Sequence, residues 1–299
     1  PIMGQFVLTG SAQFDLMAGM SQSLAGLAGR VGRVELLPLS LEEMQTAGCL
    51  PASLDRLLLT GGYPALYQRE VAANDWFPNY VATYLERDVR QIIAVRNLSQ
   101  FQRFVRMCAA RSGQLLNLAA LGADCGISAV TAREWLSVLE TSCLVTHLPP
   151  YFQNFGKRLV KSPKLYFLDV GLMAWLLGIR DEQSMATHAA RGALFETWVI
   201  AEMIKQRFNA GQPADLYFWR DSSGNEIDVV FETVTGLQAI EIKSGSTFAT
   251  DWMDGLKKWQ KWAGNAVINK PILIYGGSDS YEREQCLLTG WLELTPNAG

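Results

Sequence analysis

The stretch LYFWRDSSGNEIDVVFETVTGLQAIEIK, residues 216–243, decides the fold of the carboxyl-terminal part of the chain. β-rich runs alternate in it with turn residues. The pattern predicts a strand over Leu216–Trp219, a hairpin turn over Asp221–Asn225, a second strand over Glu226–Glu232 and a third over Leu237–Lys243. The stretch therefore reads as a three-stranded meander.

A helix is predicted just before this meander, over Gly192–Lys205, because apolar residues recur there at helical spacing. Glu196 lies on or beside its apolar face. A carboxylate at such a position needs a partner. Glu196 is therefore a candidate functional residue.

The meander is predicted to bring three charged side chains together. Alternation along the third strand places Glu241 and Lys243 on one face, opposite two isoleucines. Alternation along the second strand places Asp228 on one face. The residues of the opposite face are Ile227, Val229 and Phe231.

This arrangement suits a metal-dependent phosphodiesterase. Asp228 and Glu241 would hold a divalent cation that polarises the phosphate, and Lys243, about 7 Å along the strand face, would orient or activate the attacking water. Glu196 could complete the metal shell. The alternative is a charged solvent-facing side of a sheet, with Glu241 and Lys243 as ordinary surface residues.

The same residues resemble the PD-(D/E)xK superfamily of restriction-endonuclease-like domains. The motif is carried by Asp228, by Glu241-Ile-Lys243 and by the helical Glu196. The resemblance implies an αβββαβ core, with Asp251–Trp262 as the next helix and Pro271–Tyr275 as the next strand. It implies Mg²⁺ or Mn²⁺ as cofactor, with Asp228 and Glu241 as ligands. A third possibility is a domain that keeps this fold but has little or no cleavage activity.

Composition excludes other kinds of site. The chain of 299 residues has His147 and His188 as its two histidines, and its five cysteines form no CxxC pair, so a multi-histidine or cysteine zinc site is excluded. The cysteine usage favours a reducing cytoplasm. We expect no membrane span, since the longest strongly apolar run is far shorter than about 20 residues. The formal net charge of −3 means that nucleic acid would need a local basic patch.

Residues 98–170 predict a winged helix-turn-helix domain. Helical patterns, a Gly-containing turn and a further helix over Ala129–Glu140 precede two β-rich runs that flank a basic loop. On this reading the start of the last helix faces a groove of DNA and the loop contacts phosphates. The candidate DNA-binding residues are Ser128, Thr131 and Arg133 on the helix, and Lys157, Arg158, Lys161 and Lys164 in the loop. A protein-contact role is the alternative, because residues 98–150 are nearly neutral.

Over its whole length the chain resembles AAA+ family ATPases that carry a carboxyl-terminal domain of unknown function with a restriction-endonuclease-like fold. The motifs that carry this resemblance are FVLTGSAQ (6–13), LAGRV (27–31), LLPLSL (36–41), GGYPA (61–65), YLERDV (84–89), KLYFLD (164–169), RGALFE (191–196) and EIKSG (241–245).

This resemblance implies an α/β multidomain chain. Its parts are a carboxyl-terminal remnant of the AAA+ core (1–45), a helical lid (46–97), the winged helix (98–170) and the endonuclease-like domain (171–299). Thr9 or Ser11 would match a polar sensor, and Arg30 an arginine that acts on the γ-phosphate of ATP.

The chain departs from that family at its nucleotide site. No GxxxxGK(S/T) motif occurs, so we expect no ATP hydrolysis by this chain, and ATP binding only in a full-length form. A truncated ATPase region with an uncovered apolar face predicts self-association. Two function classes remain: a metal-dependent nuclease associated with DNA, and a non-catalytic DNA- or protein-binding regulatory module with a degenerate nuclease-like fold.

Overall fold

A computed structural model of the chain describes residues 34–69, 71–84, 97–152, 159–263 and 269–294. Several predicted site residues lie outside these ranges. They are Thr9, Ser11 and Arg30 of the nucleotide-site remnant and Lys157 and Arg158 of the basic loop.

Short helices open the described part. They are α1 (Leu41–Thr46), α2 (Leu54–Thr60), α3 (Pro64–Gln68) and α4 (Ala73–Tyr80). A capping box fixes the start of α1. The Ser40 hydroxyl accepts from the Glu43 amide while the Glu43 carboxylate accepts from the Ser40 amide.

A second group of elements follows the predicted order of three helices and two strands. It contains α5 (Leu98–Ala110), α6 (Leu118–Cys125), α7 (Ala129–Thr141), β1 (Val145–Leu148) and β2 (Lys164–Phe167). β1 and β2 form an antiparallel pair. The loop between α5 and α6 also bonds to β2, since the Gly113 amide donates to the Leu165 carbonyl at 2.7 Å.

Three further helices lead to the large sheet: α8 (Val170–Leu176), α9 (Glu182–Thr187) and α10 (Arg191–Asn209). The helix α10 covers the predicted Gly192–Lys205 and extends four residues beyond it, to Asn209. Most of its middle is buried, because it packs on both the sheet and β2.

Six strands of the described residues form one mixed sheet in the order β3-β4-β5-β6-β8-β7. Their bounds are β3 (Tyr217–Arg220), β4 (Glu226–Thr233), β5 (Gly236–Lys243), β6 (Ile272–Tyr275), β7 (Tyr281–Arg283) and β8 (Cys286–Gly290). The first three are antiparallel, as the meander predicted, and β5, β6 and β8 run parallel. A helix, α11 (Asp254–Ala263), connects β5 to β6.

Both faces of this sheet are covered, which makes two apolar cores. The larger core holds α10 and the helices before it, and the smaller core holds Trp219 and Trp259 beneath α11. The prediction that Ile227 shares a face with Val229 and Phe231 is wrong, because Ile227 packs in the smaller core.

The cause is an irregularity in β4. Tyr217 pairs with Val230 but Trp219 pairs with Ile227, so β4 holds one residue more than β3 over this interval. A bulge of this kind interrupts strict alternation and redirects side chains. Asp228 lies inside the interval.

Gly61 and Gly62, the glycines of the GGYPA stretch, lie in a buried contact between the end of α2 and the start of α8. The Asp169 carboxylate accepts from the Gly62 amide at 2.7 Å and from the Leu172 amide at 2.8 Å. A Cβ on Gly61 would lie 2.4 Å from the same carboxylate, and the Gly61 φ is +72°. Only glycine permits this approach.

A buried ion pair on α10 holds the segment before α1. Glu202 accepts from the Leu41 amide at 2.7 Å and from the Lys205 ammonium at 2.6 Å. Lys205 also donates to the Leu39 carbonyl at 3.0 Å. We call Asp169, Glu202 and Lys205 the anchor cluster, since each of them fixes main chain from a distant part of the sequence.

Among the described residues, no helix is both long enough and apolar enough to cross a lipid bilayer.

Candidate metal centre

Charged side chains from four elements meet between the sheet, α10 and β2. We call this group the acidic centre. Its members are Lys164 of β2, Glu196 of α10, Glu226 and Asp228 of β4, and Glu241 and Lys243 of β5. The three predicted charges of the meander, Asp228, Glu241 and Lys243, and the predicted helical Glu196 therefore belong to one cluster.

Glu241 is the most enclosed carboxylate of the centre, with 8% of its surface exposed. Its Oε1 accepts from the Lys243 ammonium at 2.6 Å. Its Oε2 is buried, and no group in the described part of the chain donates to it. Gly255 of α11 closes this side, since a Cβ there would lie 3.5 Å from Oε2. A buried oxygen of this kind is costly without a donor or a cation.

Asp228 lies next to Glu241 across the β4–β5 pair. Its Oδ2 accepts from the Ile242 amide at 2.8 Å. Burial, then the neighbouring charges of Glu241 and Glu196, raise the pKa of Asp228 well above its usual value. Lys164 and Lys243 oppose this shift, but burial and the two neighbouring carboxylates outweigh them.

The pKa values of Glu241 and Lys243 are both raised, for different reasons. Burial raises the pKa of Glu241 although Lys243 opposes the shift. For Lys243, burial favours the neutral amine, but Glu241 and Asp228 outweigh it and raise the pKa. Lys243 therefore stays protonated, and its side chain is 34% exposed. It is the part of the motif that an incoming phosphate can reach.

Lys164 has a different position from the predicted one. Sequence reasoning placed it in a basic loop that contacts DNA phosphates, and that prediction is wrong. Lys164 is 3% exposed. Its ammonium lies 3.0 Å from the Glu196 carboxylate and also contacts Glu226. Burial opposes the charge on Lys164, yet Glu196, Asp228 and Glu226 raise its pKa.

Glu196 is thus already bonded. It accepts from Lys164 and from the Tyr166 hydroxyl of β2. Its second oxygen faces the loop after α5, where a Cβ on Gly113 would lie 3.5 Å away. Glu196 therefore joins α10 to β2.

Three members of this network were missed from the sequence: Lys164 as a buried residue, Tyr166 and Glu226. Two features of the sequence could have indicated Glu226 and the burial of Lys164. Glu226 is two residues before Asp228 on a strand, a spacing that brings side chains near each other. Lys164 begins the run KLYF, all of which is buried, and a lysine in such a run needs an acidic partner.

The helix α10 begins at the far end of the motif strand. Arg191 donates to the carbonyl of Ser244, just past Lys243, and its Nε lies 2.9 Å from Asp55 of α2. The end of β5 is therefore tied both to α10 and to the amino-terminal helices.

The candidate DNA-binding residues inside the described ranges lie elsewhere. Ser128 caps α7 by accepting from the Thr131 amide. Arg133 is exposed on α7, and Lys161 is exposed before β2. Among the described residues, no hydrogen bond or ion pair joins Thr131, Arg133 or Lys161 to the acidic centre.

Asp228 and Glu241 are the residues of the centre that could hold a divalent cation. Within the described ranges, no three His, Cys, Asp or Glu side chains are arranged to hold a metal ion together. Asp228 and Glu241 nevertheless offer oxygen ligands of the kind that Mg²⁺ and Mn²⁺ prefer. The buried Glu241 Oε2 is the atom that a cation would satisfy.

Comparisons with known proteins match two family models to different stretches of the chain. Residues 51–183 match the model of a domain of unknown function, DUF8612, and residues 191–293 match another, DUF4143. Two proteins described as uncharacterized, Mb2031c of Mycobacterium bovis and Rv2008c of Mycobacterium tuberculosis, are each 34% identical to this chain over 250 residues. The match covers 83% of this chain and 54% of each relative, so the chain spans about half the length of the curated relatives it matches. No solved structure matches the chain.

Proposed function

We propose that the chain is part of an ATPase-linked, DNA-associated protein and that its acidic centre is a phosphodiesterase site dependent on Mg²⁺ or Mn²⁺. One observation carries the catalytic part. A buried carboxylate oxygen of Glu241 has no donor among the described residues, while desolvated Asp228 lies beside it and protonated Lys243 faces outward. The αβββαβ order around this site and the motif spacing support a restriction-endonuclease-like reading.

Asp228, Glu241 and Lys243 would have different roles in cleavage of the phosphodiester. Asp228 and Glu241 would hold the cation, which when bound polarises the phosphate. Lys243 keeps its proton at Nζ and donates to a phosphate oxygen, so it stabilises the charge that develops there. A water oxygen bonds to phosphorus and gives up a proton to solvent, while the bond to the leaving sugar oxygen breaks and that oxygen takes up a proton from solvent.

The pairing of Lys243 with Glu241 must change for this reaction. In the described state the Lys243 ammonium donates to Glu241 Oε1 at 2.6 Å. If Glu241 held a cation, its Oε1 would no longer need the Lys243 ammonium as a donor, and Lys243, whose side chain is 34% exposed, could turn towards the phosphate. The side chain's length permits this rotation within its own rotamers.

The test is nicking of supercoiled DNA by the purified chain in Mg²⁺ and then in Mn²⁺. Asp228→Ala and Lys243→Ala should each lower the rate by about 100-fold or more. Lys258→Ala is the matched control, because Lys258 is an exposed lysine on α11. This variant should nick DNA at the wild-type rate. Cleavage that survives in both site variants would exclude this centre as the source of the activity.

A non-catalytic DNA-binding module is the second candidate function. It is favoured by the close Lys243–Glu241 pair and by Arg133 and Lys161, which are exposed near the ends of α7 and β2. Phosphate contacts weaken as salt rises. DNA affinity measured at two salt concentrations should then fall with salt, and Arg133→Ala should reduce it. Salt-sensitive binding without nicking in either metal would favour this candidate.

A further inference from the structure

We propose that Lys164 is a built-in counter-cation that replaces a second metal ion, so that the acidic centre binds one divalent cation, at Asp228 and Glu241, and not two. The inference rests on the proposed function, and it assigns Glu196 a positioning role instead of a place among the metal ligands.

The carboxylates of the centre outnumber what one metal needs. Glu196, Glu226, Asp228 and Glu241 meet in one buried region, and two-metal phosphodiesterases use such sets to hold cations about 4 Å apart. Here Glu196 and Glu226 share the buried Lys164 ammonium, and Glu226 also pairs with Arg220. Lys164 lies 3.0 Å from Glu196 and contacts Glu226 as well.

The lysine is also fixed in place. Its Cα pairs with Leu148 in the β1–β2 sheet and forms a bridge with Leu115 on the other side. Its ammonium lies 5.6 Å from the centre of the Phe218 ring, and its side chain is 4% exposed. An ammonium so enclosed cannot exchange with a hydrated cation without moving β2.

The Glu196–Glu226 half and the Asp228–Glu241 half of the centre therefore differ in how their carboxylate oxygens are bonded. Lys164 and Tyr166 both donate to Glu196 Oε1, and the Glu196 side chain is 21% exposed, so solvent can reach it. Glu226 pairs with Lys164 and Arg220, one on each oxygen. Glu241 has one donor for two oxygens, and its Oε2 is buried. The buried oxygen without a donor therefore lies on the Asp228–Glu241 side, where one cation would satisfy it.

Titration calorimetry of the full chain with Mn²⁺, supported by the paramagnetic resonance signal of bound Mn²⁺, tests the count. The wild type should bind one Mn²⁺. Lys164→Met should gain a second site, because Glu196 and Glu226 lose their counter-charge. Lys258→Met is the matched control, since Lys258 is an exposed lysine on α11, and this variant should still bind one Mn²⁺.

A second comparison holds even if Lys164→Met does not fold. Glu196→Gln should change the Mn²⁺ dissociation constant by less than about 3-fold, whereas Asp228→Asn should weaken it by at least about 10-fold. Two Mn²⁺ ions in the wild type would overturn the inference. Equal weakening by Glu196→Gln and Asp228→Asn would overturn it too.

The outcomes separate this inference from the proposed function. One bound Mn²⁺ with no nicking removes the nuclease proposal and supports the single-cation centre. Two bound Mn²⁺ ions with nicking support the nuclease and remove the role given to Lys164. A wild type that binds no Mn²⁺ contradicts both.

Discussion

The anchor cluster and the acidic centre each take a glutamate from α10, yet the two regions are built to different rules. Glu202 of the anchor cluster is fully buried, and its oxygens have a backbone amide and an ammonium as donors. Glu241 of the acidic centre is almost as buried and keeps one oxygen without a donor in the described residues. A buried carboxylate whose two oxygens both have donors stabilises the fold. A buried oxygen without a donor is one that a bound ligand can satisfy, with a gain in binding free energy.

The largest effect should come from breaking the closed region. Glu202→Ala leaves the Lys205 ammonium and the Leu41 amide buried without their partner, so the free energy of unfolding should fall by about 3–5 kcal/mol. Urea unfolding followed by tryptophan fluorescence measures it. Glu42→Ala, at an exposed position of α1, is the control and should change little. A loss as small as that of the control would mean that the anchor cluster does not hold the fold.

A slightly smaller effect is expected at the Asp169 side of the same cluster. Gly61→Ala places a methyl group 2.4 Å from the Asp169 carboxylate and forces alanine to φ +72°, which should cost about 2–4 kcal/mol. Gly48→Ala separates the two causes. Gly48 has φ +67° but nothing within 4 Å of its Cβ position, so only the backbone cost of about 1 kcal/mol remains. Equal unfolding midpoints for the two variants would contradict a tight contact at Asp169.

The acidic centre should respond in the opposite direction. Asp228→Asn removes an unfavourable buried charge and keeps an acceptor for the Ile242 amide, so the metal-free protein should gain about 1 kcal/mol at neutral pH. The folded-state pKa of Asp228 is raised. Its contribution to stability is therefore complete below the unfolded pKa and is lost as pH rises through the folded pKa.

The gap between this variant and the wild type should consequently widen with pH. Unfolding midpoints without metal at about pH 4, about pH 6 and about pH 8 test it, starting near the usual value of 3.8 for an aspartate. Glu42→Gln should show no such widening, since that carboxylate is exposed. A constant gap at all three values would show that Asp228 is not desolvated.

The smallest effect is expected at the satisfied side of the acidic centre. Tyr166→Phe removes one of two donors to Glu196 and leaves Lys164 in place, so about 1 kcal/mol should be lost. Tyr281→Phe is the matched control, because Tyr281 is 38% exposed and should tolerate the change. If Tyr166→Phe weakened Mn²⁺ binding as strongly as Asp228→Asn, the division of the centre into two halves would be wrong.

Local signals made much of the fold predictable. The Ser40 and Glu43 capping box marked the start of α1, and turn residues separated β3, β4 and β5 near their observed limits. These features depend on residues close in sequence. The prediction that Asp228, Glu241 and Lys243 come together also needed only strand neighbours.

Long-range partners could not be predicted in the same way. Lys164 looks like an exposed loop lysine until Glu196 and Glu226 are placed beside it, and those lie far along the chain. The extra residue in β4 is also invisible to an alternation pattern, because it is set by the pairing of Trp219 with Ile227. Burial of a charge is a property of the assembled layers, so sequence patterns alone did not assign it.

Main-chain hydrogen bonds between β2 and the loop after α5 connect the acidic centre to the helices on either side of that loop. Leu116 donates to the Pro163 carbonyl at 2.8 Å and Leu165 donates to the Gln114 carbonyl at 3.1 Å, so this loop grips the main chain on both sides of Lys164. α6 begins two residues after that loop, at Leu118. The main chain that carries the Lys164 ammonium is thus held in place by the segment that leads into α6.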